Sequence, residues 1–233
     1  MIRMGQAFYV AGTGTDVGKT FFSCLFMAKY AETYGFRYWK PIQTGATSAG
    51  DTELVQKTTN LPDPYFLKPV YEFQTPASPH YASKQDGKTL DPKFLLTALA
   101  KERKTNTLIE GAGGVFVPWT DDYLTIKGIG ESNLPVVVIG STELGTINHT
   151  LLTLDALTSR FVAVLGFYLV GPENSLQTDN AETIQRLGGA PCLGVTNFPK
   201  QKLSPIEFIS FANHQFDPNR NVIDTLLNPD DEI

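Results

Sequence analysis

The segment that most constrains the fold of this chain is an apolar stretch that runs into a glycine-rich loop near the N-terminus. Residues 8–20 read Phe-Tyr-Val-Ala-Gly-Thr-Gly-Thr-Asp-Val-Gly-Lys-Thr, and apolar residues at helical spacing follow at once. A strand, a glycine loop and Gly-Lys-Thr at a helix start hold a polyphosphate, because backbone N–H groups of the loop point at the phosphate oxygens. The segment therefore predicts a phosphate-binding loop (P-loop) and a nucleoside triphosphate as ligand.

Two side chains of the P-loop have predicted tasks. Lys19 would reach the outer phosphates as a point charge, and the hydroxyl of Thr20 would bind Mg²⁺. The usual motif has a glycine five residues before Gly18, whereas this chain has Thr13 between two glycines. The alternative is an ordinary glycine turn with a surface lysine, but the order of strand, loop and helix favours the phosphate site.

Composition and charge argue against several other classes of protein. The net charge of the 233 residues is −5, and a nucleic-acid surface needs a basic stripe, so we expect no nucleic-acid partner. Cys24 and Cys192 lie outside metal-ligand and disulfide spacings, which is typical of a reducing cytoplasm. We also expect no membrane partner, because no secretion signal is recognisable and the longest apolar run is too short to span a bilayer.

Apolar segments alternate with helical patterns along the rest of the chain. The predicted strands are Phe8–Ala11, Tyr38–Trp39, Leu108–Ile109, Val136–Ile139, Val164–Leu169 and Leu193–Val195. Helical patterns include Pro92–Glu102, Ile147–Leu157 and Thr178–Leu187. This alternation predicts one α/β domain over residues 1–233, with a mostly parallel sheet covered by helices on both faces. Ligands of such sheets bind beyond the carboxyl ends of the strands, so polar residues just after strands are candidates for chemistry.

Polar side chains follow two further predicted strands. The first segment is Lys40-Pro41-Ile42-Gln43-Thr44-Gly45, and we expect Lys40 and Thr44 to face the same crevice as Lys19, unless Lys40 is an ordinary surface lysine. In the second segment Glu110 ends an apolar strand, where a carboxylate is costly to bury unless it meets a cation. Glu110 would therefore hold Mg²⁺ or a water of its shell. The glycines after Glu110 would let a ligand approach the backbone, or would form a strained turn without a ligand.

Two predicted helix starts are further candidates. The segment Ser141-Thr142-Glu143-Leu144-Gly145-Thr146-Ile147-Asn148-His149 joins a strand to a helix. The bare N–H groups of a helix start bind anions, although a threonine in this segment could simply cap the helix. Asp51 either caps the helix that follows it or supplies another oxygen ligand to Mg²⁺.

Together these motifs resemble those of the dethiobiotin synthetase family. The similar landmarks, in the same order, are Gly12–Thr20, Lys40-Pro41 with Thr44-Gly45, Ser78-Pro79-His80, Glu110–Gly114 and Gly145–His149. The likeness weakens after about Gly171. The resemblance implies a P-loop NTPase-like, cytoplasmic homodimer that uses ATP, Mg²⁺ and CO₂. Its substrate would be 7,8-diaminopelargonate, converted into dethiobiotin through a carbamate and a carbamic–phosphoric anhydride.

The resemblance also implies roles for individual residues. The nucleotide would be bound by Thr15, Asp16, Val17, Gly18, Lys19, Thr20, Phe21, Asp51, Glu110, Gly111, Ala112 and Gly113. The substrate would be contacted by Thr15, Asp16, Lys40, Thr44, Gly145, Thr146 and Asn148, with the last three coming from the other subunit. Thr20, Asp51 and Glu110 would bind Mg²⁺, and the catalytic residues would be Lys40, Lys19 and Thr15. Lys40 would stabilise charge between the carbamate and the γ-phosphate, either as a cation alone or also as a proton carrier.

Three parts of the chain differ from the family pattern. The asparagine that reads adenine in relatives corresponds to Val170, and the loop Thr196-Asn197-Phe198-Pro199 is altered as well. Weaker discrimination between ATP and other triphosphates is the expected consequence. Thr183 stands where some relatives have a substrate-binding tyrosine, so we expect a different substrate affinity.

Two other classes of P-loop protein compete with this interpretation. An amide-forming relative, such as a cobyrinate or CTP synthetase-type domain, needs a glutaminase, for which this chain has no room. A partitioning or positioning ATPase usually has an extra lysine at the start of its P-loop, where this chain has Thr13, Gly14 and Thr15. Membrane-binding members of that class often end in a basic amphipathic helix, whereas residues 228–233 are acidic.

Overall fold

A seven-stranded parallel sheet lies at the centre of the fold. The computed structural model describes residues 6–46 and 50–228. Its strands are β1 (Phe8–Gly12), β2 (Arg37–Trp39), β3 (Ile42–Gln43), β4 (Phe66–Leu67), β5 (Tyr71–Glu72), β6 (Thr107–Gly114), β7 (Pro118–Thr120), β8 (Tyr123–Leu124), β9 (Val136–Ser141), β10 (Val164–Gly171) and β11 (Cys192–Asn197). The main sheet has the order β11-β10-β9-β1-β6-β2-β4, and its neighbouring strands all run parallel. Parallel β3–β5 and antiparallel β7–β8 form two small ladders beside it.

Helices connect most of these strands. They are α1 (Lys19–Tyr34), α2 (Asp51–Thr59), α3 (Pro79–Gln85), α4 (Pro92–Glu102), α5 (Thr125–Ser132), α6 (Thr146–Thr158), α7 (Gln177–Gly188), α8 (Pro205–Gln215) and α9 (Asn221–Leu227). A 3₁₀ turn at Asp63–Tyr65 precedes β4. Within the described residues, no helix is both long and apolar enough to cross a membrane.

The sheet has an apolar core on each of its faces. Along β1, Phe8 and Val10 belong to one core cluster, whereas Tyr9 and Ala11 belong to the other. Side chains from α1, α8 and α9 complete the first cluster, and side chains from α4, α5, α6 and α7 complete the second. Strands that are covered on both sides must be apolar at nearly every position, which is the pattern of the sequence here.

The predicted elements are present with small changes of length. All six predicted strands and all three predicted helices occur, and the mostly parallel sheet with helices on both faces is confirmed. Helix α4 has the predicted bounds, whereas α6 and α7 each extend by one residue at both ends. The single domain over residues 1–233 stays a prediction. Ala49, which precedes the Gly50-Asp51 segment, and the acidic residues 229–233 lie outside the described residues.

One boundary differs in a way that matters for the site. The predicted strand ends at Glu110, but β6 continues to Gly114. The continuation is possible because the small glycines pair with β1, with Gly114 opposite Gly12 after a shift of register. Glu110 is therefore an interior residue of a central strand, where it pairs with Val10 of β1.

Candidate active site

The loop of residues 13–18 joins β1 to α1, and its shape depends on Gly18. This residue has φ of +98°, in the left-handed region that favours glycine. A Cβ at this position would lie 2.1 Å from Cγ2 of Val170, so a larger residue does not fit. The first residues of α1 then line a cavity of about 760 Å³ beyond the end of β1.

Lys19 is buried at the base of the P-loop. Its Nζ donates a hydrogen bond to the carbonyl oxygen of Gly14 at 2.8 Å, so the side chain lies back along the loop. Burial lowers the pKa of Lys19, and the nearby carboxylate of Glu110 partly opposes this shift. The lysine thus lies at the centre of the loop, where its charge faces an electronegative ligand best.

Glu110 is completely buried, and both of its carboxylate oxygens have hydrogen-bond donors. Oε1 accepts from Thr20 Oγ1 at 2.8 Å and from Lys40 Nζ at 3.2 Å. Oε2 accepts from Ser23 Oγ at 2.7 Å and from the hydroxyl of Tyr38 at 3.0 Å. These contacts replace the hydration that a buried carboxylate loses.

Asp51 and Lys40 complete a cluster of charged groups around Thr20. Asp51 Oδ1 also lies 2.9 Å from Thr20 Oγ1, whose one hydrogen is shared between Asp51 and Glu110, and Asp51 Oδ2 pairs with Lys40 Nζ. The backbone N–H of Asp51 donates to Gln43 Oε1 at 3.2 Å. The N-cap of α2 is Gly50, so Asp51 is the first helical residue and not the cap that the sequence allowed. Its carboxylate is consequently directed at the P-loop.

The ion pairs of this cluster oppose the effect of burial on the pKa values of Lys40 and Asp51. Burial alone would lower the pKa of Lys40, but the carboxylates of Glu110 and Asp51 raise it above the usual lysine range. Burial likewise disfavours the ionised form of Asp51, yet the Lys40 ammonium holds the pKa of that carboxyl below its usual value. In this arrangement, Lys40 is a cation and Asp51 an anion at neutral pH.

Most of the predicted site residues line this one cavity. They are Thr15, Asp16, Gly18, Lys19, Thr20, Phe21, Lys40, Thr44, Asp51, Glu110, Ala112 and Gly113. Val17 and Gly111 are not among the lining residues. Gly111 instead makes room for Tyr9, since a Cβ there would lie 2.6 Å from the phenol oxygen. Ser78 and Pro79 of the Ser-Pro-His motif lie on the opposite wall of the cavity.

The start of α6 lies apart from the 760 Å³ cavity. Its N-cap is Gly145, at φ +96°, and not one of the threonines of this segment. Thr146 is buried against Thr150, and Asn148 is exposed. The three predicted substrate residues of this segment therefore do not meet Lys40 within one chain. His149, the next residue, lines a second cavity of about 610 Å³ that reaches Thr15 from the other side.

Three residues of the site were not predicted from the sequence. Gln43 holds the start of α2, and Ser23 and Tyr38 contact Glu110. Ser23 could have been predicted as a site residue, because a serine one helical turn after Lys19 projects from the same side of α1. Tyr38 could not have been predicted, since a tyrosine in an apolar strand usually fills the core.

The ends of β10 and β11 lie beside the P-loop and carry few free polar groups. Val170 is completely buried and packs next to Gly18. The nearest amides are engaged with one another, as Asn197 Nδ2 donates to Gln177 Oε1 at 2.7 Å. Phe198 packs edge-on against Phe21, with ring centroids 4.9 Å apart. Thr183 is half-buried on α7 and does not line the 760 Å³ cavity.

The parallel sheet and the P-loop cavity define a P-loop nucleotide-binding protein of the α/β class. A family model described as an AAA domain matches residues 6–203. An ATP-dependent dethiobiotin synthetase from Leptospira interrogans is 39% identical over 189 residues, which cover 81% of this chain and 85% of the relative. One from a Bradyrhizobium species is 42% identical over 191 residues, covering 82% and 87%. The chain belongs to the dethiobiotin synthetase family, whose members are ATP-dependent ligases.

Solved structures with much lower sequence identity share the fold. A ParA family ATPase from Chlorobium tepidum has a TM-score of 0.58 at 11% identity, covering 96% of this chain and 98% of that structure. The MinD cell division protein of Aquifex aeolicus has a TM-score of 0.53 at 10% identity, covering 94% of each chain. These likenesses confirm the P-loop fold and, at such identities, do not extend to the activity.

Proposed function

We propose that this chain carboxylates 7,8-diaminopelargonate with CO₂ and closes the ureido ring of dethiobiotin, with hydrolysis of ATP to ADP and phosphate. One observation carries the proposal. Two lysines, two carboxylates and the P-loop threonine converge on a single cavity at the ends of neighbouring strands, in a chain about 40% identical to curated dethiobiotin synthetases. The residues concerned are Lys19, Lys40, Asp51, Glu110 and Thr20.

The triphosphate of ATP is proposed to lie along the P-loop and the first turn of α1. Residues Thr15–Phe21 would surround it with backbone N–H groups, and Lys19 would contact its outer phosphates. Asp51 and the segment Glu110–Gly113 would lie next to the triphosphate on the side of the strands. The lining of the 760 Å³ cavity by nearly all of these residues supports the placement.

The donor set of this cavity fits Mg²⁺. Thr20 Oγ1 lies within 2.9 Å of an oxygen of Asp51 and within 2.8 Å of an oxygen of Glu110, so three hard oxygen atoms converge. The described residues contain no group of three or more His, Cys, Asp or Glu side chains that could cage an ion. That suits Mg²⁺, which usually takes one or two carboxylates and completes its shell with phosphates and water. Bound there, the ion would offset the charge of the phosphates.

The remaining side chains are proposed to position the substrate and to stabilise charge. One amine adds to CO₂ and loses a proton, giving a carbamate. Transfer of the γ-phosphoryl group to a carbamate oxygen gives the mixed anhydride, and the second amine attacks its carbonyl carbon with release of phosphate. Lys40, which pairs with Asp51 and Glu110, would stabilise the negative charge in these steps, either as a cation alone or also as a proton carrier. Thr15, Asp16 and Thr44 would orient the amines and the carbamate.

A homodimer is proposed to complete the site. The start of α6 would bind the far carboxylate of the substrate, and this segment lies outside the cavity of its own chain. Large apolar side chains are exposed around it: Leu144 is 94% exposed, Leu152 61% and Phe116 51%. Apolar side chains clustered at one place are typical of an interface. With two free cysteines, a cytoplasmic location is also proposed.

Single-turnover product analysis by mass spectrometry tests the proposed reaction. The protein is mixed with ATP, Mg²⁺, bicarbonate and diaminopelargonate, and each component is omitted in turn. We expect dethiobiotin only in the complete mixture, in an amount equal to the phosphate released. Release of phosphate without dethiobiotin would refute the proposal and favour an ATPase of the partitioning or positioning type.

A further inference from the structure

The two oxygens of the Glu110 carboxylate have different surroundings. Oε1 lies beside Thr20 and Lys40, on the side of the cavity. Oε2 points into the core, where its donors are the neutral hydroxyls of Ser23 and Tyr38. A carboxylate with an exposed oxygen could rotate about the bond that joins it to its side chain. Glu110 is completely buried, and both of its carboxylate oxygens accept hydrogen bonds, so the group is held in one orientation.

Tyr38 reaches Glu110 because of its register in the sheet. It pairs with Leu108 across β2 and β6, so its side chain lies on the same face as Glu110, two residues further along β6. Its ring packs against Phe66, with centroids 6.2 Å apart, and the whole side chain is buried. A phenol is protonated at neutral pH, so the hydroxyl of Tyr38 donates to Glu110 Oε2 at 3.0 Å.

We infer that Tyr38 and Ser23 are positioning residues that direct Glu110 Oε1 at the divalent cation of the nucleotide. By occupying Oε2, the two hydroxyls prevent the carboxylate from turning and keep Oε1 beside Thr20. Because both donors are neutral, they add no positive charge near the cation beyond that of Lys40. Outer-shell hydrogen bonds of this kind orient carboxylate ligands in metal sites. The inference rests on the proposed function, in which Glu110 is a Mg²⁺ ligand.

The chain contains a matched control for Tyr38. Tyr30 is also a buried tyrosine of the same core cluster, and its hydroxyl donates to Asp217 Oδ2 at 2.7 Å. It does not line the cavity and does not contact Glu110. Tyr38→Phe and Tyr30→Phe therefore each remove one buried hydrogen bond from a tyrosine to a carboxylate, but only the first touches the site.

Binding of Mn²⁺ by the full-length protein, measured by electron paramagnetic resonance with a non-hydrolysable ATP analogue, tests the inference. We expect Tyr38→Phe and Ser23→Ala each to weaken Mn²⁺ binding about tenfold, and Tyr30→Phe to leave it unchanged. The Mg²⁺ concentration for half-maximal dethiobiotin formation should rise by the same factor, while kcat at saturating Mg²⁺ stays close to that of the wild type. Ser23→Ala provides the same test if Tyr38→Phe folds poorly.

The outcomes separate this inference from the proposed function. Wild-type Mn²⁺ affinity in both Tyr38→Phe and Ser23→Ala would overturn the inference, as would equal losses in Tyr38→Phe and Tyr30→Phe. Glu110→Gln serves as the reference for the metal site itself. If that variant binds Mn²⁺ like the wild type, the assignment of Glu110 under the proposed function fails instead.

Discussion

Lys40 is a buried cation between two carboxylates, and this position predicts how its loss affects the enzyme. We expect Lys40→Ala to lower kcat by a factor on the order of 10²–10³, because one charge that stabilises the transition state is removed. Nucleotide affinity should change little, since Lys19 and the P-loop backbone remain. Steady-state kinetics with nucleotide binding measured by calorimetry checks both parts. Lys57→Ala is the control, as Lys57 pairs with Glu53 on the exposed surface of α2.

An increase of KM alone, with kcat unchanged, would contradict the role of Lys40 in the transition state. Thermal unfolding should be followed in parallel, because Lys40→Ala leaves Asp51 and Glu110 without their counter-charge.

Lys19 should behave differently, because it lies in the P-loop itself. Lys19→Ala removes the point charge that faces the outer phosphates, and we expect ATP binding and turnover both to be lost. Calorimetric titration with ATP and Mg²⁺ measures the binding directly. Retention of wild-type affinity would show that the backbone of the loop holds the nucleotide without this charge.

At the scale of a single residue, the sequence predicts which side chains belong to the site better than it predicts the contacts that those side chains make. The carboxylate of Glu110 was predicted near the P-loop because an ionised group at a buried position needs a cation. Its position inside β6 was not predicted, because glycines read as a turn unless the neighbouring strand is known. The contact from Tyr38 depends on the register between β2 and β6, which neither strand specifies alone.

At the scale of elements, we expect the base of the nucleotide to lie at the ends of β10 and β11. Val170, which the family resemblance places where relatives have an adenine-reading asparagine, carries only methyl groups, and the amides of Asn197 and Gln177 bond each other. A single hydrogen bond contributes about 0.5–1.5 kcal/mol. The loss of a hydrogen bond from a side-chain amide to adenine would therefore lower the preference for ATP over other triphosphates by up to roughly tenfold. We expect GTP and CTP to support dethiobiotin formation with kcat/KM within about tenfold of ATP.

Parallel initial-rate measurements with the three triphosphates test this expectation. Lys19→Ala is the control for the background rate, since this substitution should abolish the reaction with all three nucleotides. A strong preference for ATP alone would show that groups other than a side chain at position 170 read the base.

Most of the long strands were predictable, whereas most of the strands of two or three residues were not. Helix α4 has the bounds that its helical pattern predicted, and in the structure Asp91 caps it and Pro92 is its first residue. Strands β3, β5, β7 and β8 have two or three residues each, too few to show a periodicity. Among them, β3 contributes Gln43 to the wall of the 760 Å³ cavity, so this part of the site could not be predicted as well as its base.

At the scale of the whole molecule, the proposed dimer makes each active site depend on two chains. Lys40 would come from one chain and Asn148 from the other, since they do not line one cavity within a single chain. Asn148→Asp is a mild change at an exposed position, and its charge should repel the substrate carboxylate. We expect both Lys40→Ala and Asn148→Asp homodimers to be nearly inactive.

Co-expression of these two variants under different affinity tags, followed by purification of the heterodimer, discriminates between shared and separate sites. In a shared arrangement, one site of the heterodimer collects both substitutions and the other collects neither. The heterodimer should then recover about half of the wild-type activity per dimer, because a two-fold symmetric dimer has two equivalent sites. If each site belonged to one chain, every site would keep one substitution, and the heterodimer would be as inactive as its parents.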